Sequence, residues 1–192
     1  MSKLNKAITV LAKILEVCLW IATVGLIVAA VMLCYVMFTG SIDTTSLIQG
    51  ATETSFDFSG ISFDASKLDM DQMVRAGIVL SIFGAVDCGI MATVCRNINL
   101  LFKTAAGQTR FSQGETPFQP ATVGMVRNIG WLCIAIPIID LIGSAVLPIV
   151  LGLTEIDLHF DLGGVFMGLV ALGLSQFFVY GAELQAETDG LV

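Results

Sequence analysis

Four long apolar stretches constrain what this chain can fold into more than any other feature. They cover roughly residues 15–38, 77–95, 129–151 and 164–182. A helix needs about 20 apolar residues to cross the hydrocarbon core of a bilayer, because each residue adds about 1.5 Å. The sequence therefore predicts a bundle of four transmembrane helices that forms a single integral membrane domain over residues 1–192.

The composition excludes an ordinary soluble protein. Hydrophobic residues make up 56% of the chain, charged residues only 13%, and the mean hydropathy is +0.89. A soluble domain of this size needs more polar residues to cover its surface. Four spans also leave too little chain for a separate soluble domain.

The basic residues predict which loops stay in the cytoplasm. Lys and Arg in short loops resist translocation, so the side that carries more of them is cytoplasmic. If both termini are cytoplasmic, loop 103–122 lies inside, and loops 39–73 and 152–163 lie outside. Only Lys67 and Arg75 then face outward, while seven basic residues face inward: Lys3, Lys6, Lys13, Arg96, Lys103, Arg110 and Arg127. The outer loops are acidic, which argues against direct binding of nucleic acid.

The outer loops also carry strand patterns. Apolar and polar residues alternate in Ser55–Phe58 and Ile61–Asp64, around a turn that contains Gly60, and this is typical of a hairpin. The same alternation recurs in 156–162. The predicted fold class is thus an all-α membrane protein, a four-transmembrane-helix bundle with a small extracellular antiparallel β-sheet of three strands. The second helix is predicted to begin at Met70, beside two acids that the helix dipole favours.

Three segments carry a family resemblance. They are Gly114–Phe118, Arg127–Trp131 and the C-terminal run 181–192. In these segments, and in span order and loop lengths, the chain resembles the bacterial membrane proteins catalogued as domain of unknown function 2975. The resemblance implies a four-span protein of the bacterial inner membrane, often encoded beside a small helix-turn-helix regulator. It implies no catalytic residues.

Two aspartates lie near the middle of predicted spans. Asp87 is in the second span and Asp140 in the third. A carboxylate at mid-depth is costly unless it is paired, hydrated or protonated. Ser144, one turn after Asp140, and Gln176 of the fourth span are the predicted partners. Two interpretations stay open: a proton- or cation-responsive pair, or buried acids that hold helices together by hydrogen bonds.

Small residues form a stripe along the fourth span: Gly164, Gly168, Ala171 and Ser175. Their spacing of i, i+4, i+7 and i+11 places them on one helix face, where another helix can approach closely. The partner helix belongs either to this chain or to a second protein, such as another copy in a homo-oligomer.

The outer acids include one weak candidate for a metal site. Asp157, His159 and Asp161 alternate, so they would share one face of a strand and could bind a divalent cation. A solvated strand face has the same sequence pattern, and we predict no metal and no cofactor.

The predicted cytoplasmic side carries charges of both signs near the span ends. Arg96, Lys103, Arg110 and Arg127 either meet anionic lipid head groups of the bilayer or dock a cytoplasmic regulator. Glu183 and Glu187 near the C-terminus could complete such a docking surface.

These patterns favour a non-enzymatic protein. The sequence lacks a phosphate-binding glycine loop, a His-Glu-x-x-His motif and a nucleophile elbow. The predicted function is that of an accessory or sensory protein of the bacterial inner membrane that regulates by binding a partner. The alternative is a small oligomeric channel or transporter subunit that uses the mid-membrane acids.

Overall fold

The computed structural model describes residues 3–39, 55–58, 61–64, 69–109, 120–152 and 160–189. Helices account for most of this part of the chain. In order, the elements are α1 (Lys3–Thr39), β1 (Ser55–Phe58), β2 (Ile61–Asp64), α2 (Met70–Ala105), α3 (Pro120–Leu151) and α4 (Leu162–Asp189). The described architecture is therefore predominantly helical, with four long helices.

The prediction of four helices that are long and apolar enough to cross a membrane is confirmed. Such segments run over Ala7–Thr39, Asp71–Ala105, Ala121–Leu151 and Leu162–Leu184. Each helix is longer than its predicted span, because polar residues at the span ends continue the helix. α1, at 37 residues, is about 55 Å long against a hydrocarbon core of about 30 Å.

The start of α2 is fixed by a cap. The prediction that this helix begins at Met70 is confirmed. The backbone N–H of Asp69 donates to Oε1 of Gln72 at 3.0 Å, and the N–H of Met73 donates to the Asp69 carbonyl at 2.9 Å. Asp69 is thus the N-cap residue, and Gln72 closes a capping box from the third position of the helix.

The end of α2 is fixed by Gly107. Its φ of 72° lies in the left-handed region, which costs glycine little. The N–H of Gly107 donates to the Thr104 carbonyl at 3.0 Å, and that of Gln108 donates to the Lys103 carbonyl at 2.9 Å. This pair of bonds is a Schellman motif. The predicted loop 103–122 is consequently shorter, because 103–105 and 120–122 are helical.

The predicted three-stranded sheet is wrong. In the described part of the predicted outer loops, only Ser55–Phe58 and Ile61–Asp64 form strands, and they pair antiparallel with Ser55 opposite Asp64. Phe160 and Asp161 are not in a strand, and Leu162 begins α4. Residues 153–159 lie outside the described part. The alternating pattern at 160–162 is overridden because the apolar residues that follow continue a helix.

The chain divides into two compact units. Unit 1 comprises residues 1–20, 90–136 and 162–192, and unit 2 comprises 21–89 and 137–161. In α3 the division falls at Pro137, which is fully buried. A proline is tolerated within a membrane helix because neighbouring groups satisfy the carbonyl that it leaves without a donor.

The apolar core of unit 2 joins α2 to α3. Ala76 and Val79 of α2 pack with Leu147 and Leu151 of α3, and partly buried side chains surround them. At the same end, Nε2 of Gln72 donates to the Leu151 carbonyl at 2.9 Å. Leu151 is the last residue of α3, so no N–H of that helix donates to its carbonyl. One amide thus caps α2 and also satisfies the end of α3.

Large apolar side chains cover the outside of all four helices. Ile149 and Phe177 are each more than 70% exposed, and α1 carries exposed Val, Ile and Met residues along most of its length. In water such continuous apolar surfaces are unfavourable, whereas in hydrocarbon they are solvated. The packing of this chain is that of a multi-pass membrane protein.

Candidate functional site

A groove in unit 1 brings together polar side chains of α2 and α3 within the described part of the chain. Its cavity volume is about 650 Å³, and the described residues that line it are one from α2 and six from α3: Asn97, Ala121, Gly124, Met125, Arg127, Asn128 and Trp131. We call it the Arg127 groove. Ala121, Gly124, Met125 and Asn128 lie on one face of α3, since their spacing is i, i+3, i+4 and i+7.

Among the described residues that line the groove, Arg127 is the one that carries a formal charge. Its side chain is exposed, and it forms no ion pair with any carboxylate in the described ranges. The half-buried Asn97 faces the same space from α2, where its Nδ2 donates to the Thr93 carbonyl at 3.0 Å. An amide nitrogen carries two hydrogens, so the second can reach a ligand in the groove. Arginine and two asparagine amides together offer donors to an anion.

Two further residues shape the groove. A Cβ built on Gly124 meets no atom within 4 Å, so the space above this glycine is open. Trp131 is 60% exposed and lies one helical turn further into α3 than Arg127. Its indole combines an apolar ring with a single N–H donor, which is the chemistry of side chains at a membrane–water boundary.

Sequence reasoning named Arg127 but missed the groove around it. Asn97 and Asn128 are scattered polar residues in the sequence, and only the packing of α2 beside α3 brings them to one space. The available signal was the polar face of the first turns of α3, which precedes the apolar stretch.

Polar residues also line the interior of unit 1. Asn99, only 4% exposed, donates through Nδ2 to the Thr9 carbonyl at 3.2 Å and so links α2 to α1. Glu16 is buried on α1, where Lys13 donates to its Oε2 at 3.1 Å. Neither Glu16 nor Asn99 was predicted as a functional or structural position. Both have polar neighbours in the sequence, Lys13 for Glu16 and Asn97 for Asn99, so the sequence did not mark them as buried.

The helices α3 and α4 touch at a pair of glycines in unit 1. A Cβ on Gly168 would lie 2.8 Å from the carbonyl oxygen of Gly130 and 2.5 Å from Cγ1 of Ile134. A Cβ on Gly130 would lie 3.0 Å from the Gly168 carbonyl oxygen and 2.8 Å from Cγ of Leu172. The two backbones are therefore in direct contact, which only residues without a Cβ permit.

The predicted small-residue stripe contains this contact. Gly168 and Ser175 are buried, and Gly164 and Ala171 are half-buried. The Ser175 hydroxyl donates to the Leu172 carbonyl at 2.6 Å, within α4. Gly168 and Ser175 are thus occupied by packing within this chain, and Gly130 is the opposing position that the sequence pattern did not indicate.

The mid-span acids both lie in unit 2. Asp87 is only 8% exposed, and Asp140 is half-buried. The buried Ser144 hydroxyl donates to the Leu141 carbonyl at 2.9 Å, so it satisfies its own helix. Gln176 is exposed on the surface of α4. The pairing of Asp87 and Asp140 with these two residues stays a prediction.

The predicted cytoplasmic charges are mostly exposed. Arg96, Arg127, Glu183 and Glu187 are exposed on helices, and Lys103 is half-buried in the last turn of α2. Arg110 lies outside the described residues. Together with Lys13, these basic positions belong to unit 1.

The weak metal candidate falls mostly outside the described part of the chain. Asp157 and His159 are not described, and Asp161 is exposed just before α4. Among the residues that are described, no cluster of three His, Cys, Asp or Glu side chains could hold a metal ion.

Comparisons with known proteins return nothing: no family model, no curated protein and no solved structure matches this chain. The resemblance to domain of unknown function 2975 therefore stays a prediction. What the chain does has to be inferred from the groove, the charges and the packing described above.

Proposed function

We propose that this chain is a non-enzymatic protein of the bacterial inner membrane that acts by binding a cytoplasmic partner, as an accessory or sensory component. Both termini are cytoplasmic in this proposal, and the partner is a small helix-turn-helix regulator, as the family resemblance implies. An outer or lipid-borne signal shifts helix packing around Asp87 and Asp140 and so alters the contact with the regulator.

The observation that supports this proposal is the extension of α2 and α4 past their predicted spans. α2 continues ten residues past residue 95, and α4 continues seven residues past residue 182. These extensions are about 15 Å and 10 Å long. They present exposed charges, Arg96 on α2 and Glu183 and Glu187 on α4. Charges held on rigid helices outside hydrocarbon are suited to recognising a protein surface.

Charge reversal on α4 tests the proposal. We expect the double variant Glu183→Lys/Glu187→Lys to lose co-purification of the regulator encoded beside this chain, because two attractive contacts become repulsive. Like-charge contacts cost several kcal/mol, so the retained fraction should fall about tenfold or more. The measurement is the amount of tagged regulator recovered with the protein from native membranes.

Asp161→Lys provides the control, since Asp161 is an exposed acid that precedes α4 at its other end. Under this topology it faces away from the cytoplasm, so the variant should retain the regulator. Equal retention by all three proteins would refute the proposed surface. Failure of the wild-type protein to retain any regulator would refute the proposal itself.

The alternative function, an oligomeric channel or transporter subunit, is favoured by the burial of Asp87. A carboxyl group that is only 8% exposed within a membrane helix is costly in its charged form, and acids inside membrane helices commonly mark proton or ion pathways. If the alternative holds, proton or cation flux into liposomes should fall at least tenfold in the variant Asp87→Asn/Asp140→Asn. If the partner-binding proposal holds, wild-type liposomes should be as tight as empty ones.

A further inference from the structure

We infer that the Arg127 groove binds the phosphate group of an anionic membrane phospholipid. The inference goes beyond the proposed function, because it holds whether or not a regulator binds. The shared chemistry is a phosphate oxyanion, and the assigned source is a lipid head group rather than free phosphate.

Charge complementarity is the first reason. Arg127 has no carboxylate partner in the described part of the chain, and its planar guanidinium can donate two parallel bonds to a phosphate. Asn97 and Asn128 line the same space with neutral amide donors. Basic pockets between membrane helices on the cytoplasmic side are established sites for lipid head groups in general.

The order of residues along α3 is the second reason. Ala121 and Gly124 come first, then Arg127, and Trp131 follows one turn later, at the start of the apolar span. One turn is about 5.4 Å along the helix. A phospholipid presents its phosphate at the surface and its glycerol esters just below, where tryptophan side chains prefer to lie. A free phosphate has no apolar part that would contact Trp131 at that end of the groove.

The size of the groove is the third reason. A volume of about 650 Å³ lies within the range of about 300–1,000 Å³ that is typical of small-molecule sites. Because Gly124 has no side chain, the cavity above it is open, and any larger side chain at this position would project into the cavity. Gly124 is therefore a position where the groove can be filled without disturbing a packed contact.

Lipid retention by the purified full chain tests the inference. Native mass spectrometry in detergent would compare added phosphatidylglycerol with phosphatidylcholine. We expect tighter binding of phosphatidylglycerol, weakened about tenfold or more by Arg127→Gln, because a charge-assisted bidentate contact is lost. Arg127→Lys should weaken binding less, since it keeps the charge but not the fork.

Two matched pairs separate the groove from general effects. Arg75→Gln removes an exposed arginine of α2 that does not line the groove, and it should leave lipid retention unchanged. Gly124→Leu should block the site, whereas Gly173→Leu on α4 should not, although a Cβ on either glycine would meet no atom within 4 Å. Melting temperature without added lipid checks that each variant folds.

The outcomes decide the matter in either direction. If Arg127→Gln and Gly124→Leu lose phosphatidylglycerol binding while both control variants keep it, the site is supported. Equal loss of lipid binding in Arg75→Gln means that only general electrostatic attraction acts, and it overturns the inference. Equal binding of the two lipids overturns it as well. Competition by millimolar inorganic phosphate or glycerol phosphate, at the affinity of the lipid, would assign the groove to a free anion instead.

Discussion

Replacing Gly168 by leucine should strongly destabilise this protein. A Cβ at this position would overlap a backbone oxygen of Gly130, at 2.8 Å, and the backbone nitrogen of Ile134, at 3.2 Å. Backbone atoms of a neighbouring helix cannot rotate away, so α3 and α4 would have to separate. Overpacking costs about 1–3 kcal/mol for small additions, which we expect for Gly168→Ala, and more than about 3 kcal/mol for Gly168→Leu. Unfolding by SDS titration in mixed micelles measures the change.

The matched control is Gly173 on the same helix. It is exposed, and a Cβ there meets no atom within 4 Å. Gly173→Ala should therefore be neutral, or stabilising by up to about 1 kcal/mol, because alanine favours the helix. Gly130→Ala should cost as much stability as Gly168→Ala. The double variant should cost less than the sum of the two single variants, since both substitutions disrupt the same contact. Strictly additive costs, or a Gly168→Ala variant as stable as Gly173→Ala, would show that the two helices do not meet here.

The second large effect is expected at Gln72. This side chain accepts from the Asp69 N–H and donates to the Leu151 carbonyl, so it joins residues 79 positions apart in the sequence. Gln72→Met keeps the length of the side chain and removes both bonds. We expect a loss of about 2–3 kcal/mol in the free energy of unfolding, because a buried acceptor at the end of α3 is left unsatisfied. The same SDS titration measures it.

A graded series separates the two bonds of Gln72. Gln72→Glu keeps an acceptor for the Asp69 N–H and places an acid at a helix N-terminus, where it is favoured, but it cannot donate to Leu151 when ionised. Its loss should be smaller than that of Gln72→Met. Gln176→Met removes an exposed glutamine on α4 and should cost almost nothing. If Gln72→Met were as harmless as Gln176→Met, the link between α2 and α3 would be refuted.

The helices were predictable because they depend on local sequence. Apolar length alone located all four, and the acids at Asp69 and Asp71 located the start of α2. Their ends were less accurate, since polar residues such as Lys103 continue a helix as readily as they end one. Gly107 ends α2 through its left-handed φ, which a glycine in a polar loop signals only weakly.

The prediction of a third strand was wrong for a related reason. Period-two alternation over a few residues also occurs where a loop leads into a helix. Leu162 belongs to the helix because, in the residues after it, apolar and polar residues no longer alternate. A short pattern was outweighed by the longer segment beside it.

The site depends on contacts between segments distant in sequence. No local pattern fixes the helix register that three features require. These are the Gly130–Gly168 contact, the bond from Gln72 to Leu151 and the shared groove of Asn97 and Arg127. Sequence reasoning found one partner of the first and third, Gly168 and Arg127, because small and basic residues stand out in apolar helices. The opposing partners do not stand out.

Labelling with a membrane-impermeant maleimide tests most directly whether these helices cross a bilayer. Cysteine would be placed at Gln108, after α2, and at Asp161, before α4, in a variant without the native cysteines. Both positions are exposed. In intact cells we expect Asp161→Cys to react at once and Gln108→Cys to react only after permeabilisation. Reaction of both positions in intact cells, or of Gln108→Cys alone, would contradict four membrane-spanning helices with cytoplasmic termini.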